Sequence, residues 1–413
     1  MVQRKQRRWN VLALAAALLA VILALSAITG VERPHVYSRD GLRRSTPFPV
    51  LRSDPVQDPA HGWSRQRDQL LTPAEQNDDQ RALERAQFRV QVGVYANNTS
   101  ELMLEVPSYA SNGYVWLRWD EPFQRYLEDS NATASQRFMF LNELISDADP
   151  GLQSIDDQPV KMEDGSYYQL FKYQGRYYID QASFRRYPFM KVSLPLAIEP
   201  DDVDGKLNYS RLRLLPDLKN SGMGLYAYII GWRNHGWAIA EHMHHYATNL
   251  GFGGQEADYS QVLFEISFGT SAWAAFWRLL LPLAVVMAMV LLVFKVRADD
   301  QESRASIPVT VLLTLVFLQQ AYRETLPDLP FLTFLDQVYV IAYVVTLVAF
   351  VLVIWIGRRY GQMEEMDEGP VRDQLQKRLQ WFDDLWPLLV VVFGSVAVAI
   401  CWFTMPTAVS ISA

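Results

Sequence analysis

The chain has 413 residues, 50% of them hydrophobic and 20% charged, with a formal net charge of -7. An acidic balance without a clustered basic face excludes nucleic acid as a partner. A single cysteine, Cys401, excludes an intrachain disulfide and any cysteine-based zinc site. The apolar residues gather in five stretches, near 9–30, 273–294, 307–322, 331–357 and 386–403. Each approaches the roughly 20 residues that a helix needs to cross a hydrocarbon core.

In chain order, residues 1–30 start with Arg4, Lys5, Arg7 and Arg8 and run into an apolar core from Val11 to Ile28. That is the pattern of a signal peptide, but the core is long for one, which favours an uncleaved anchor helix. Residues 31–87 are polar with scattered prolines and read as a linker ending in a short helix around Pro73 to Ala86. From Phe88 the period changes to two, with Phe88, Val90, Val92 and Val94 alternating with Arg89, Gln91, Gly93 and Tyr95. Such alternation predicts a strand with one buried face. Further strands are expected at Met103 to Val106, Tyr114 to Trp119, Tyr167 to Tyr173, Tyr177 to Asp180 after a Gln174-Gly175 turn, Lys191 to Ile198, Gly224 to Gly231, Trp237 to Tyr246 and Ser260 to Ser267. Short strands at this spacing predict an all-β, immunoglobulin-like sandwich over residues 88–270. Residues 271–413 hold the last four apolar stretches and are expected to form a four-helix transmembrane bundle.

Lysines and arginines near the spans set the orientation, because cytoplasmic flanks carry the positive excess. The basic N-terminus, Lys295, Arg297 and Arg304, and later Arg358, Arg359, Lys377 and Arg378, all read as cytoplasmic. The sandwich is then expected outside the cytoplasm.

The least apolar of the four final stretches has the most ordered pattern. Ser306, Thr310, Leu313, Phe317, Gln320 and Glu324 are spaced by four, three, four, three and four residues, which puts them on one stripe of a helix. Polar groups at membrane depth are costly unless they face protein or water, so the stripe points to a water-filled pathway. Glu302 at the inner mouth and Glu324 at the outer would form acidic rings, which attract cations, if several copies surrounded one axis. The bland alternative is that Ser and Thr bond back to carbonyls and glue helices together. Pro308 removes one backbone bond early in the helix, a loss tolerated near a first turn.

The sequence also carries Leu326-Pro327-Asp328-Leu329-Pro330-Phe331-Leu332-Thr333 followed by Asp336, Leu281-Pro282 in the first of the four spans, Gly113-Tyr114 through Trp119-Asp120, and Tyr187-Pro188-Phe189. With these motifs in this order, residues 88 to 405 resemble the prokaryotic branch of the pentameric ligand-gated ion channels, relatives of the Cys-loop receptors. The resemblance implies a homopentamer in a bacterial inner membrane, with the β-domain in the periplasm. It further implies an acidic selectivity position at Glu302, polar rings at Ser306 and Thr310, a hydrophobic gate at Leu313, and a coupling loop at Leu326, Pro327 and Pro330 facing Tyr187, Pro188 and Phe189. Agonist sites in the family are built from aromatics between adjacent outer domains, which makes Tyr246, Phe252 and Tyr259 candidates by position, with Trp237 and Trp232 less central. Two positions depart from the family pattern: Met190 stands where an acid is usual, and Thr270 where an arginine is.

His242 and His244 share one face of a predicted strand and could hold a metal or sense protons, while Asp201, Asp202 and Asp204 could hold Ca²⁺ weakly. A solvated or interface strand and a solvated acidic turn are the favoured readings of these residues. No nucleophile-base pair is visible, so neither enzymatic activity nor a cofactor is expected. The expected function is a cation-selective channel opened by a small extracellular ligand or by protons. The alternative is a non-conducting membrane sensor with a solute-binding sandwich.

Overall fold

A computed structural model describes residues 51–58, 63–70, 73–144, 151–179, 184–246, 257–296, 300–366 and 369–404. The apolar stretch within residues 1–30, and Phe252, lie outside them. The chain forms two compact units, one built on Arg33–Ala182 and Lys191–Gly269, the other on Ser183–Met190 and Thr270–Ser410.

The first unit is a sandwich of two sheets. Its strands are β1 (Leu51–Asp58), β2 (Trp63–Leu70), β3 (Phe88–Met103), β4 (Ser108–Trp119), β5 (Phe138–Phe140), β6 (Glu143–Leu144), β7 (Gln153–Ser154), β8 (Val160–Lys161), β9 (Tyr167–Tyr178), β10 (Lys191–Pro200), β11 (Leu212–Pro216), β12 (Gly222–Ala227), β13 (Trp232–Tyr246) and β14 (Ala257–Thr270). One sheet runs β2-β1-β13-β14-β10-β5. The other runs β11-β3-β4-β9-β6, with β12 on β3 and the short β7 and β8 on β9. Two helices belong to this unit, α1 (Pro73–Arg85) and α2 (Glu121–Asp129). α2 starts where Asp120 accepts a hydrogen bond from the Phe123 amide, an N-cap of the usual kind.

The alternation read from Phe88 onward fills the space between the sheets. Val90, Val92 and Val94 of β3 meet Leu194, Leu196 and Ile198 of β10 and Val262, Phe264 and Ile266 of β14 in one buried cluster. Crossing this core is a buried ion pair, Arg213 Nε to Glu241 Oε1 at 2.7 Å, joined by the Ser260 hydroxyl donating to the same oxygen at 2.7 Å.

Three local expectations change. Gln174-Gly175 is not a turn: β9 runs unbroken because β4 pairs with it along its whole length, Asn112 opposite Gln174 and Ser111 opposite Gly175. Met103 to Val106 is mostly the turn between β3 and β4, and β12 stops at Ala227. In the segment read as linker, β1 and β2 pair with each other, and β1 adds parallel to β13. No periodicity announces these two strands, since backbone pairing needs no apolar face.

The second unit contains four helices long and apolar enough to cross a membrane: α3 (Trp273–Lys295), α4 (Gln301–Arg323), α5 (Phe334–Glu364) and α6 (Pro370–Thr404). α3 includes a π-helical turn, Phe276–Leu280, just before Pro282. A proline has no N–H for the carbonyl four residues back, and such a loosened turn absorbs the mismatch. Pro308 lies beyond the first turn of α4, yet the helix continues through it. Near the N-terminal end of α4, Arg304 is 2% exposed. Its guanidinium donates to Asp383 of α6 at 2.9 Å and to the Phe294 carbonyl at 3.3 Å.

Removing one member of a buried ion pair strands the other. Asp383→Ala should therefore destabilise the protein by about 3 kcal/mol, seen as a lower unfolding midpoint in detergent. The paired change Arg304→Met with Asp383→Leu should cost clearly less.

Candidate functional site

α4 opens at an Asp300 cap, whose carboxylate accepts from the Ser303 amide at 3.1 Å. Glu302 follows in the first turn, where the helix dipole favours a negative charge. On the single chain, Glu302, Ser306, Thr310, Leu313, Phe317, Gln320 and Glu324 are all exposed. The two apolar members are 58% and 64% exposed, Leu313 and Phe317 respectively. The opposite stripe, Arg304, Pro308, Val311, Leu315 and Tyr322, is buried. α4 thus turns an apolar-flanked arginine stripe towards its own unit and its polar stripe away from it.

The hydroxyls of Ser306, Thr310 and Thr314 donate to the carbonyls of Ser303, Ser306 and Thr310, at 3.0, 3.0 and 2.8 Å. Their protons are engaged by the backbone, as the bland reading of these residues anticipates. What they present outward is oxygen lone pairs. With two carboxylates at its ends, the exposed stripe is rich in acceptors.

The C-terminal end of α4 is locked by one carboxylate. Asp336, in the first turn of α5, accepts from the Tyr322 hydroxyl, from Arg323 Nε at 3.1 Å and from Gln319 Nε2 at 3.4 Å. Its other oxygen accepts from the Thr333 amide at 3.0 Å and hydroxyl at 2.9 Å. The loop between the helices, with Leu326, Pro327 and Pro330, is therefore tied at both ends. Tyr187 and Phe189 lie in the same unit. The Tyr187 ring stacks on Tyr322 with centroids 5.9 Å apart, and its carbonyl accepts from the Leu335 amide at 3.2 Å. Phe189 packs against Phe334 and Trp402, at 6.1 and 5.6 Å. Tyr322 and Trp402 were not singled out in the sequence. The stripe-by-stripe spacing of Tyr322 opposite Gln320 and Glu324 is the one signal that marks it.

On the sandwich, Tyr246 and Tyr259 meet edge to face at 5.8 Å. Beside them is Glu199, 1% exposed. It accepts from the Tyr246 hydroxyl at 2.9 Å and from Gln261 Nε2 at 3.0 Å, and lies 2.6 Å from His244 Nδ1. Burial first, and the Glu199 carboxylate second, hold the Tyr246 phenol well above its ordinary range. Glu199 and Gln261 continue the register in which Ile198 faces Val262, so they share the sheet face that points away from the core. Trp237 is on the opposite face, stacked on Phe264 at 5.7 Å inside the core, and is not brought to the tyrosine pair.

Of the weak metal candidates, His244 is engaged by Glu199. Among the described residues, no three His, Cys, Asp or Glu side chains come together as a metal site. Asp201 lies beside this turn, its amide donating to the Arg137 carbonyl at 2.9 Å. Asp202 accepts from the Lys206 amide at 2.8 Å, and burial raises its pKa. Burial pushes the Asp204 carboxyl up, but the Tyr126 hydroxyl, 3.0 Å away, and Lys206 outweigh it and hold the group below the usual range. His242, 2% exposed, shares its strand face with His244. A search of family models and curated proteins returned no match to the chain.

Tyr246→Phe removes a donor from a buried carboxylate. It should lower stability by about 1–3 kcal/mol, measured by chemical denaturation, and Gln261→Ala should do the same.

Proposed function

We propose that the protein is one subunit of a homopentameric, cation-selective ligand-gated ion channel, as its resemblance to the prokaryotic pentameric ligand-gated family implies. The observation that carries this reading is the outward polar stripe of α4. Between Val340 and Trp355 the exposed residues of α5 are Val340, Val344, Leu347, Val348, Val351, Ile354 and Trp355, and the large exposed side chains of α6 include Val392, Phe393, Val396 and Ile400. Hydrocarbon accepts such faces. It suits less well a stripe that carries Gln320 within the span and a carboxylate at each end, Glu302 and Glu324. Further copies of the chain meet that stripe in this reading, and ring symmetry repeats it around an axis that water and ions can follow. The number five comes from the resemblance.

In this reading Glu302 and Glu324 ring the two mouths, lone pairs of Ser306 and Thr310 face the permeant cation, and Leu313 with Phe317 closes the pathway by excluding water. A ligand or proton acting on the sandwich near Tyr246 and Tyr259 shifts a closed-open equilibrium. The loop from Arg323 to Pro330 and the Tyr187 contacts pass the movement to α4. The helices in this reading cross a bacterial inner membrane and the sandwich lies in the periplasm, as the resemblance implies.

The test is ion flux in liposomes containing the purified chain, screened across pH and small amines. Leu313→Ser should raise flux at rest, and Glu302→Arg should abolish the preference for cations. Absence of flux under every condition, including in the Leu313→Ser variant, would favour the non-conducting sensor.

A further inference from the structure

Where β14 ends, three residues before α3 begins, Thr270 meets the loop that carries Tyr187, Pro188 and Phe189. The Thr270 hydroxyl donates to the Pro188 carbonyl at 2.7 Å and accepts from the Met190 amide at 2.9 Å. The Thr270 amide donates to the Met190 carbonyl at 3.0 Å. One residue therefore holds two loop residues through three hydrogen bonds, none of which involves a charge. Met190 is buried, 2% exposed, with a side chain that has no proton to exchange.

The same loop reaches three helices of its unit. Tyr187 contacts the end of α4 and the start of α5, and its hydroxyl lies 3.5 Å from the Thr325 hydroxyl. Phe189 contacts α5 and α6. Arg185 and Arg186 lie over the rings of Phe331 and Trp402, 4.5 and 5.1 Å from the centroids. The position of this loop is thus the position of the contacts at the outer ends of three spans, and its link to the chain entering the fourth is Thr270.

We infer that the Thr270 hydroxyl is the positioning residue of this junction, an uncharged staple that sets where Tyr187 meets Tyr322. The geometry of the staple stands by itself. Its effect on gating rests on the channel reading proposed above. Two consequences separate it from an ion pair at the same place. Salt screens charges but leaves a bond between neutral groups in place. Serine can substitute for threonine, because the hydroxyl alone is needed, whereas valine keeps the shape and loses both donor and acceptor.

The experiment has two arms on the full chain. In hydrogen exchange, Thr270→Val should speed exchange of the Met190 amide by about tenfold, equally at low and high salt, while Thr270→Ser stays like wild type. In liposomes, on the Leu313→Ser background that needs no agonist, Thr270→Val should change resting flux severalfold. Its effect should be non-additive with Tyr187→Leu, as expected of residues that act through one another, and Thr270→Ser should restore the parental flux. Unchanged exchange in Thr270→Val, a salt-dependent effect, additivity with Tyr187→Leu, or a serine variant that behaves like valine would overturn the staple. If the Leu313→Ser background carries no ions, the channel reading fails while the exchange arm still decides the staple.

Discussion

A polar group inside hydrocarbon has to meet protein or water, and the helical unit is arranged around that requirement. Its buried polar residues Arg304, Asp336 and Thr346 each find at least one partner, although Arg304 Nε and Nη1 find none among the described residues. Arg304 has Asp383 and the Phe294 carbonyl. Asp336 has Tyr322, Arg323 and Thr333. Thr346 donates to the Ala342 carbonyl. Along Val340–Trp355 of α5 and Val392–Ile400 of α6 the large exposed side chains are apolar and need no answer. The outward face of α4 differs in carrying Glu302, Ser306, Thr310, Gln320 and Glu324, and that difference is what the proposed assembly of several copies rests on.

The sandwich handles the same problem differently, because it is not in lipid. Between its sheets, one charge pair, Arg213 with Glu241, is satisfied by Ser260 and capped by the Tyr209 ring 4.2 Å from the guanidinium. Isolated ions at that depth would be expensive, and breaking such a pair costs more than replacing both members. On the face away from the core, Glu199 gathers His244, Tyr246 and Gln261. Of the two histidines that suggested a metal or proton site by spacing, His244 is thus part of a hydrogen-bonded group whose centre is a carboxylate from a different strand.

How much of this could be read from the chain depends on how local each signal is. The α4 stripe is a matter of spacing within one helix, so Ser306, Thr310, Leu313 and Gln320 fall on a common face once the helix is assumed. The buried face of β3 follows from alternation in the same way. The Gln174-Gly175 dipeptide was misleading because a turn-prone pair is only a local preference, and β4 lying alongside β9 outweighs it. The face of Trp237 was hidden for a similar reason: an aromatic residue on a strand suits a core and a surface site alike until the partner sheet is known.

Periodicity and hydropathy, which are properties of the chain itself, determined four spans, a β-rich domain before them and a helix with a polar stripe. Tertiary structure alone decided which groups answer one another. Thr270 is 80 residues from Met190, Arg304 is 79 from Asp383, and Glu199 is 62 from Gln261. Hydrogen bonds and ion pairs act over a few ångströms, so a residue's partner is set by which faces fold together, and no spacing along the chain encodes that.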